Sequence, residues 1–192
     1  MPNEAQATSE LTNLLRRLGL WPYKVPDTSA NHPQGGEPDI IFLDIPVIIE
    51  VKMFGAPSEK FGNANFPFSN LRADQRAYLQ MFEREHHSYL ALGTRHGRAG
   101  NRNNPRHLWL IPYTDWLSIE ARVQPIRKSL PLTWEPRCGD IYAIQDLWDY
   151  ELWWAGGCWR LPPEHCFNAF VTRKDERNLE QMRSTWNALK QR

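Results

Sequence analysis

The chain has 192 residues, 41% hydrophobic and 12% aromatic, enough for one independently folding core with an appended subdomain. With 23 basic and 22 acidic side chains the formal charge is +1, so global electrostatics neither demand nor exclude a polyanionic partner. No apolar stretch approaches the roughly 20 residues that span a bilayer, and "MPNEAQATSE" lacks the basic-then-apolar pattern of a secretory signal; a cytoplasmic protein without membrane contact is expected.

In chain order, "TSELTNLLRRL" (8–18) places Leu11, Leu14, Leu15 and Leu18 at helical spacing after a Thr/Ser cap, with Gly19 as the stop. A Pro-, Gly- and Asn-rich stretch then reads as a short extended piece and a loop leading to Asp39. "DIIFLDI" and "VIIEVKMF" are β-branched and aromatic, and a turn at Asp44 to Pro46 makes them a hairpin. "GAPSEKFGNANFPFSN" reads as a loop, followed by a helix whose apolar stripe is Leu71, Ala73, Tyr78, Leu79 and Phe82. "SYLALGT" and "HLWLIPY" read as two further strands joined by a basic loop. Beyond Trp116 the sequence is Trp-rich and irregular until a terminal helix at 175–191. Helix, two strands, helix, two strands predicts an α/β fold: a mixed central sheet flanked by helices over residues 1–120, with a C-terminal extension, 121–192, packed on it.

Strand alternation puts Ile48, Glu50 and Lys52 on one face of the second hairpin strand and Val47, Ile49 and Val51 on the other. In an antiparallel hairpin, Asp39 falls beside the stretch carrying Glu50 and Lys52. Two carboxylates brought together repel unless a cation lies between them, and hard oxygen donors favour Mg²⁺, with Mn²⁺ as an alternative. Such an ion, with a lysine beside it, suits phosphodiester hydrolysis. An ordinary ion pair on a solvated strand edge is the competing reading of Glu50 and Lys52 taken alone.

Pro38-Asp39 followed by Glu50-Val51-Lys52 resembles the PD-(D/E)xK nuclease superfamily, whose fold is a mixed central sheet with flanking helices. "FPFSNLRADQRAYL" (66–79) is similar to the segment of RecU-type Holliday junction resolvases in which a Phe-Pro stretch leads into a helix bearing a His-Gln pair; here the pair is Asp74-Gln75. "AQATSELTNLLRRLGL" (5–20) resembles the first helix of archaeal-type resolvases, where a helix glutamate joins the metal site. That position overlays on Thr8, so that Glu10, Glu4 or no residue at all takes its place. The resemblance covers residues 5–120. It implies Asp39 and Glu50 as metal ligands, Lys52 as charge stabiliser, Gln75 as a supporting helix residue and branched DNA as substrate. Other readings are a nuclease of defence, restriction or repair acting on another DNA, and a catalytically silent DNA-binding module of the same fold.

The loop "TRHGRAGNRNNPRH" carries Arg95, Arg98, Arg102 and Arg106 without an acid, and is a candidate phosphate-binding segment. The nine Trp are expected chiefly in the core. Cys138, Cys158 and Cys166, with His165, fit no common zinc spacing and are expected to be buried thiols. Paired cuts in a four-way junction call for two active sites on a twofold axis, hence a homodimer, with "LWDYELWWAGGCW" as the expected interface.

Overall fold

A computed structural model of the protein describes residues 4–26, 38–54, 63–83, 87–94, 107–133 and 144–173. The first helix, α1, runs Glu4–Arg17, starting a full turn earlier than the cap at Thr8 and Ser9 suggests. A short strand β1 (Pro22–Lys24) pairs antiparallel with β2 (Ile40–Phe42), which turns through Leu43 to Pro46 into β3 (Ile48–Phe54), as the hairpin pattern predicts. Helix α2 (Ala73–Glu83) then leads to β5 (Ser88–Thr94), which lies parallel to β3, and β6 (Leu108–Pro112) returns antiparallel. The five strands form one mixed sheet in the order β1-β2-β3-β5-β6.

Two apolar layers cover this sheet, and alternation along the strands decides which side chain feeds which layer. Ile49, Val51, Tyr89 and Ala91 face α1, packing with Leu11, Leu14 and Leu15. Ile48, Leu90 and Leu92 face the opposite way, toward Leu79 of α2 and the aromatic cluster of Phe66, Phe68 and Trp116. Burial on both faces explains why β3 and β5 read as continuous apolar runs. The Met53 side chain of β3 lies over Gly93 of β5 so closely that a Cβ on the glycine would lie 2.3 Å from the methionine sulfur.

Several expectations change. Asn63–Pro67, read as loop, is a strand, β4, because residues far along the chain pair with it: β7 (Ser129–Thr133) runs antiparallel from Asn63 opposite Thr133 to Pro67 opposite Ser129. Tyr113, read as the end of a strand, opens helix α3 (Tyr113–Val123) immediately after Pro112. Its buried Tyr113, Trp116, Ile119, Glu120 and Val123 recur at helical spacing. Ala73, assigned to the apolar stripe of α2, is exposed. Two more strands, β8 (Trp153–Ala155) and β9 (Cys158–Arg160), form a hairpin over Gly156 and Gly157, both at positive φ.

The segment from residue 121 onward contributes to both layers: Val123, Leu130 and Leu147 to one, Leu152, Trp159, Phe167 and Phe170 to the other. The tryptophans divide. Trp109, Trp116 and Trp159 are buried, whereas Trp21, Trp148, Trp153 and Trp154 are exposed, against the expectation of a mainly core role. Nor are the thiols simply buried: Cys158 is half-buried and Cys166 exposed. His165 is buried, with Nε2 at Tyr150 O and Nδ1 accepting the Phe167 amide, so its ring is committed to backbone. Cys138 and the terminal helix expected at 175–191 lie outside the described residues. Among those described, no helix is long and apolar enough to cross a membrane.

Candidate active site

The site forms where the β2–β3 ladder stops. Pairing extends only as far as Ile40 opposite Ile49. One residue further out, the Asp39 carboxylate replaces the missing backbone partner, and its Oδ2 accepts the Val51 amide at 2.7 Å. That bond fixes Asp39 against β3. Glu50 and Lys52, two positions apart on the same face of the strand, meet directly, with Nζ 2.5 Å from Oε1. Glu4, in the first turn of α1, closes the arrangement with Oε1 2.9 Å from the same ammonium. Carboxylate oxygens of Glu4, Asp39 and Glu50 all lie within 4.8 Å of one another, the one such grouping of acids, histidines or cysteines among the described residues.

Gln75 comes to this cluster from α2. It is buried, its Nε2 donates to Glu50 Oε1, and its Oε1 accepts the Arg72 amide at 3.1 Å. Both ends of the amide are engaged, so Gln75 holds the Glu50 carboxylate in one orientation. The plain exposed amide of an amphipathic helix is not what the fold makes of this residue.

Burial dominates the electrostatics. Removal from water, reinforced by the neighbouring Asp39 charge, pushes Glu50 up to about 8 from an ordinary 4.5. Burial likewise pushes Asp39 up to about 6, against the opposing pull of the Val51 amide and Lys52. Burial works against the Lys52 ammonium too, but Glu50 and Glu4 outweigh it and hold Lys52 above its usual value. A buried Glu50 and a half-buried Asp39, both reluctant to ionise beside one another, leave the cluster short of positive charge. Oxygen donors alone, one buried and two half-buried, fit a hard divalent ion such as Mg²⁺ or Mn²⁺.

The fold therefore brings Asp39, Glu50, Lys52 and Gln75 together, and of the two acids considered on α1 it places Glu4 beside them. Glu10 is not part of the cluster: its carboxylate accepts from Trp159 Nε1 and from Gln6 Nε2, each at 2.9 Å. Six residues separate Glu10 from Glu4, which turns it roughly 120° round the helix toward β9. Glu4 stands one turn ahead of Thr8 on the same face, and Thr8 itself is buried with its hydroxyl bound to Glu4 O. The extra N-terminal turn of α1 is what makes this possible, and the hints of it in the sequence are Asn3, a residue favoured at helix caps, and the helix-compatible run from Glu4 to Ala7.

Arg95, Arg98, Arg102 and Arg106 lie outside the described residues. Arg72, which the sequence did not single out, stands close enough to the site to feel the charges of Glu50 and Glu4. No protein-family model matches the chain, and no curated protein is similar to it.

Proposed function

We propose that the protein is a metal-dependent DNA endonuclease of the PD-(D/E)xK type, hydrolysing phosphodiester bonds, with Holliday junctions as the substrate that the "FPFSNLRADQ" context favours. The observation that carries this reading is the convergence of Glu4, Asp39, Glu50 and Lys52 from three separate elements onto one point. A structural ion pair needs one acid; three carboxyl groups around one ammonium cost folding energy that a structural role does not explain.

Glu4, Asp39 and Glu50 would hold the ion. Bound there, Mg²⁺ or Mn²⁺ would supply charge neutralisation at the phosphate and a bound water more acidic than bulk water, hence a better source of the attacking hydroxide. The protein's own groups do the positioning. The Val51 amide and Gln75 fix the Asp39 and Glu50 carboxylates, so no reorganisation is needed when substrate arrives. Lys52, on the same strand face, puts a positive charge where negative charge develops on the phosphoryl oxygens. Cutting a junction symmetrically requires two such sites. Trp148, Trp153 and Trp154, between 48% and 57% exposed, support a homodimer interface on this segment.

Incubating the chain with a four-way junction, a flap, linear duplex and single-stranded DNA, in Mg²⁺ or in EDTA, tests the reading. Paired nicks in the junction that vanish in EDTA are expected. No cleavage of any of these DNAs in Mg²⁺ or Mn²⁺ would contradict a nuclease, and preferential cutting of another DNA would reassign the substrate while leaving the chemistry.

A further inference from the structure

We infer that Arg72 is the DNA-phosphate contact of this site and that Asp74 is its counter-ion in the DNA-free protein, exchanged for a phosphate oxygen when DNA binds. The inference rests on the nuclease reading above and adds to it a residue outside the sheet motif.

The geometry supports it in three steps. First, Arg72 is tied to the reacting groups by a short relay: its backbone amide donates to Gln75 Oε1 at 3.1 Å, and the other end of the same side chain donates to Glu50. The residue is thus fixed at the rim of the acidic cluster, not merely near it in sequence. Second, the guanidinium lies outward. Its side chain is 59% exposed and lies fork-to-fork on Asp74, Nε to Oδ1 and Nη2 to Oδ2, both at 3.2 Å. A planar fork held open beside a carboxylate is the geometry that also takes two phosphate oxygens. Third, its orientation contrasts with that of the neighbouring arginine. Arg76, one turn further on, is consumed by Glu120 and by the carbonyls of Leu71 and Phe68, and cannot turn outward without breaking four bonds.

An exposed Arg–Asp pair is worth little in water, so exchanging it for a phosphate costs the protein almost nothing. The hydrogen bond to Asp74, and after it the charges of Glu50 and Glu4, hold Arg72 above its usual value.

A simple structural pair and a phosphate contact predict different things when the two partners are changed one at a time. Binding to four-way junction DNA is measured in EDTA, and again with Ca²⁺, over a series of salt concentrations, with thermal melting as a check on folding. Arg72→Ala is expected to weaken binding roughly ten- to hundredfold and to flatten the dependence of log K on log salt by about one. Arg72→Lys keeps the slope but recovers only part of the affinity, because a point charge cannot fork. Asp74→Asn is expected to bind roughly two- to fivefold tighter, since a competing anion has gone. Equal weakening by Arg72→Ala and Asp74→Asn would mark a structural pair and overturn the inference, as would wild-type affinity and slope in Arg72→Ala. Failure of the wild-type chain to bind any DNA would instead remove the nuclease reading, and this inference with it.

Discussion

Two clusters of buried charge on the same side of the sheet, among the described residues, are built on opposite plans. At Arg76 and Glu120 everything balances: the guanidinium forks onto both carboxylate oxygens at 2.6 and 2.7 Å, and its remaining donors reach Leu71 O and Phe68 O. At Glu4, Asp39, Glu50 and Lys52 the charges do not balance: three carboxyl groups gather round one ammonium, which pairs with Glu4 and Glu50, and burial pushes two of the acids upward. Balanced burial is what a fold uses to join α2 to α3. Unbalanced burial costs the fold stability, and that cost is the reason an ion is proposed there.

The sharpest way to break this contrast is to neutralise the unbalanced acids. Asp39→Asn or Glu50→Gln should cut DNA cleavage by roughly a thousandfold or more while leaving DNA binding largely intact, as steady-state cleavage and gel-shift measurements would show. Lys52→Ala should lose roughly a hundredfold in turnover yet still bind Mn²⁺, because Lys52 stabilises charge and holds no ion. Lost Mn²⁺ affinity with normal turnover at saturating metal would reverse its role. In the balanced pair the expected effects change kind: Glu120→Ala strands a largely buried guanidinium and should cost about 3 kcal/mol in urea unfolding. Metal affinity should not change.

The pH response separates the two places further. Glu50 and Asp39 have folded-state values raised from 4.5 to about 8 and from 3.8 to about 6, so the folded chain holds protons there that the unfolded chain has released. Their contribution to stability is complete below pH 4 and is lost as pH rises through 6 and then 8. On the proposed reading, a divalent cation would take the place of those protons. The rise in melting temperature on adding Mg²⁺ should therefore be larger at pH 8.5 than at pH 5, and a pH-independent rise would contradict the assignment of these acids as ligands. The smallest effect belongs to Glu10→Gln: Mn²⁺ affinity and cleavage should not change, and loss of the charge on the Trp159 hydrogen bond should cost about 1 kcal/mol or less.

Much of the balanced architecture escaped the sequence, whereas most of the unbalanced site was visible in it. Asp39, Glu50 and Lys52 sit on one hairpin, so strand alternation and one tight turn suffice to bring them together. Gln75 could be placed only by its likeness to a known helix, since nothing local says that an amide on α2 is buried. Glu4 was hidden by a choice between two caps: Thr8 and Ser9 stand directly before the leucine stripe, whereas Asn3, a residue equally favoured at helix caps, lies more than a turn ahead of it. β4 and β7 could not be read at all: "NANFP" becomes a strand because "SLPLT", some 60 residues away, pairs with it. The Arg76–Glu120 bridge depends on α3, whose apolar spacing lies partly hidden behind the strand-like run that precedes it.

Direct titration of Mn²⁺ into the DNA-free protein tests the contrast most plainly. Calorimetry is expected to show saturable binding by the wild type and by Glu120→Gln, with binding lost in Glu50→Gln. Equal Mn²⁺ affinity in the wild type and Glu50→Gln would contradict the account, because the unbalanced cluster would then be a feature of the fold and not a site for an ion.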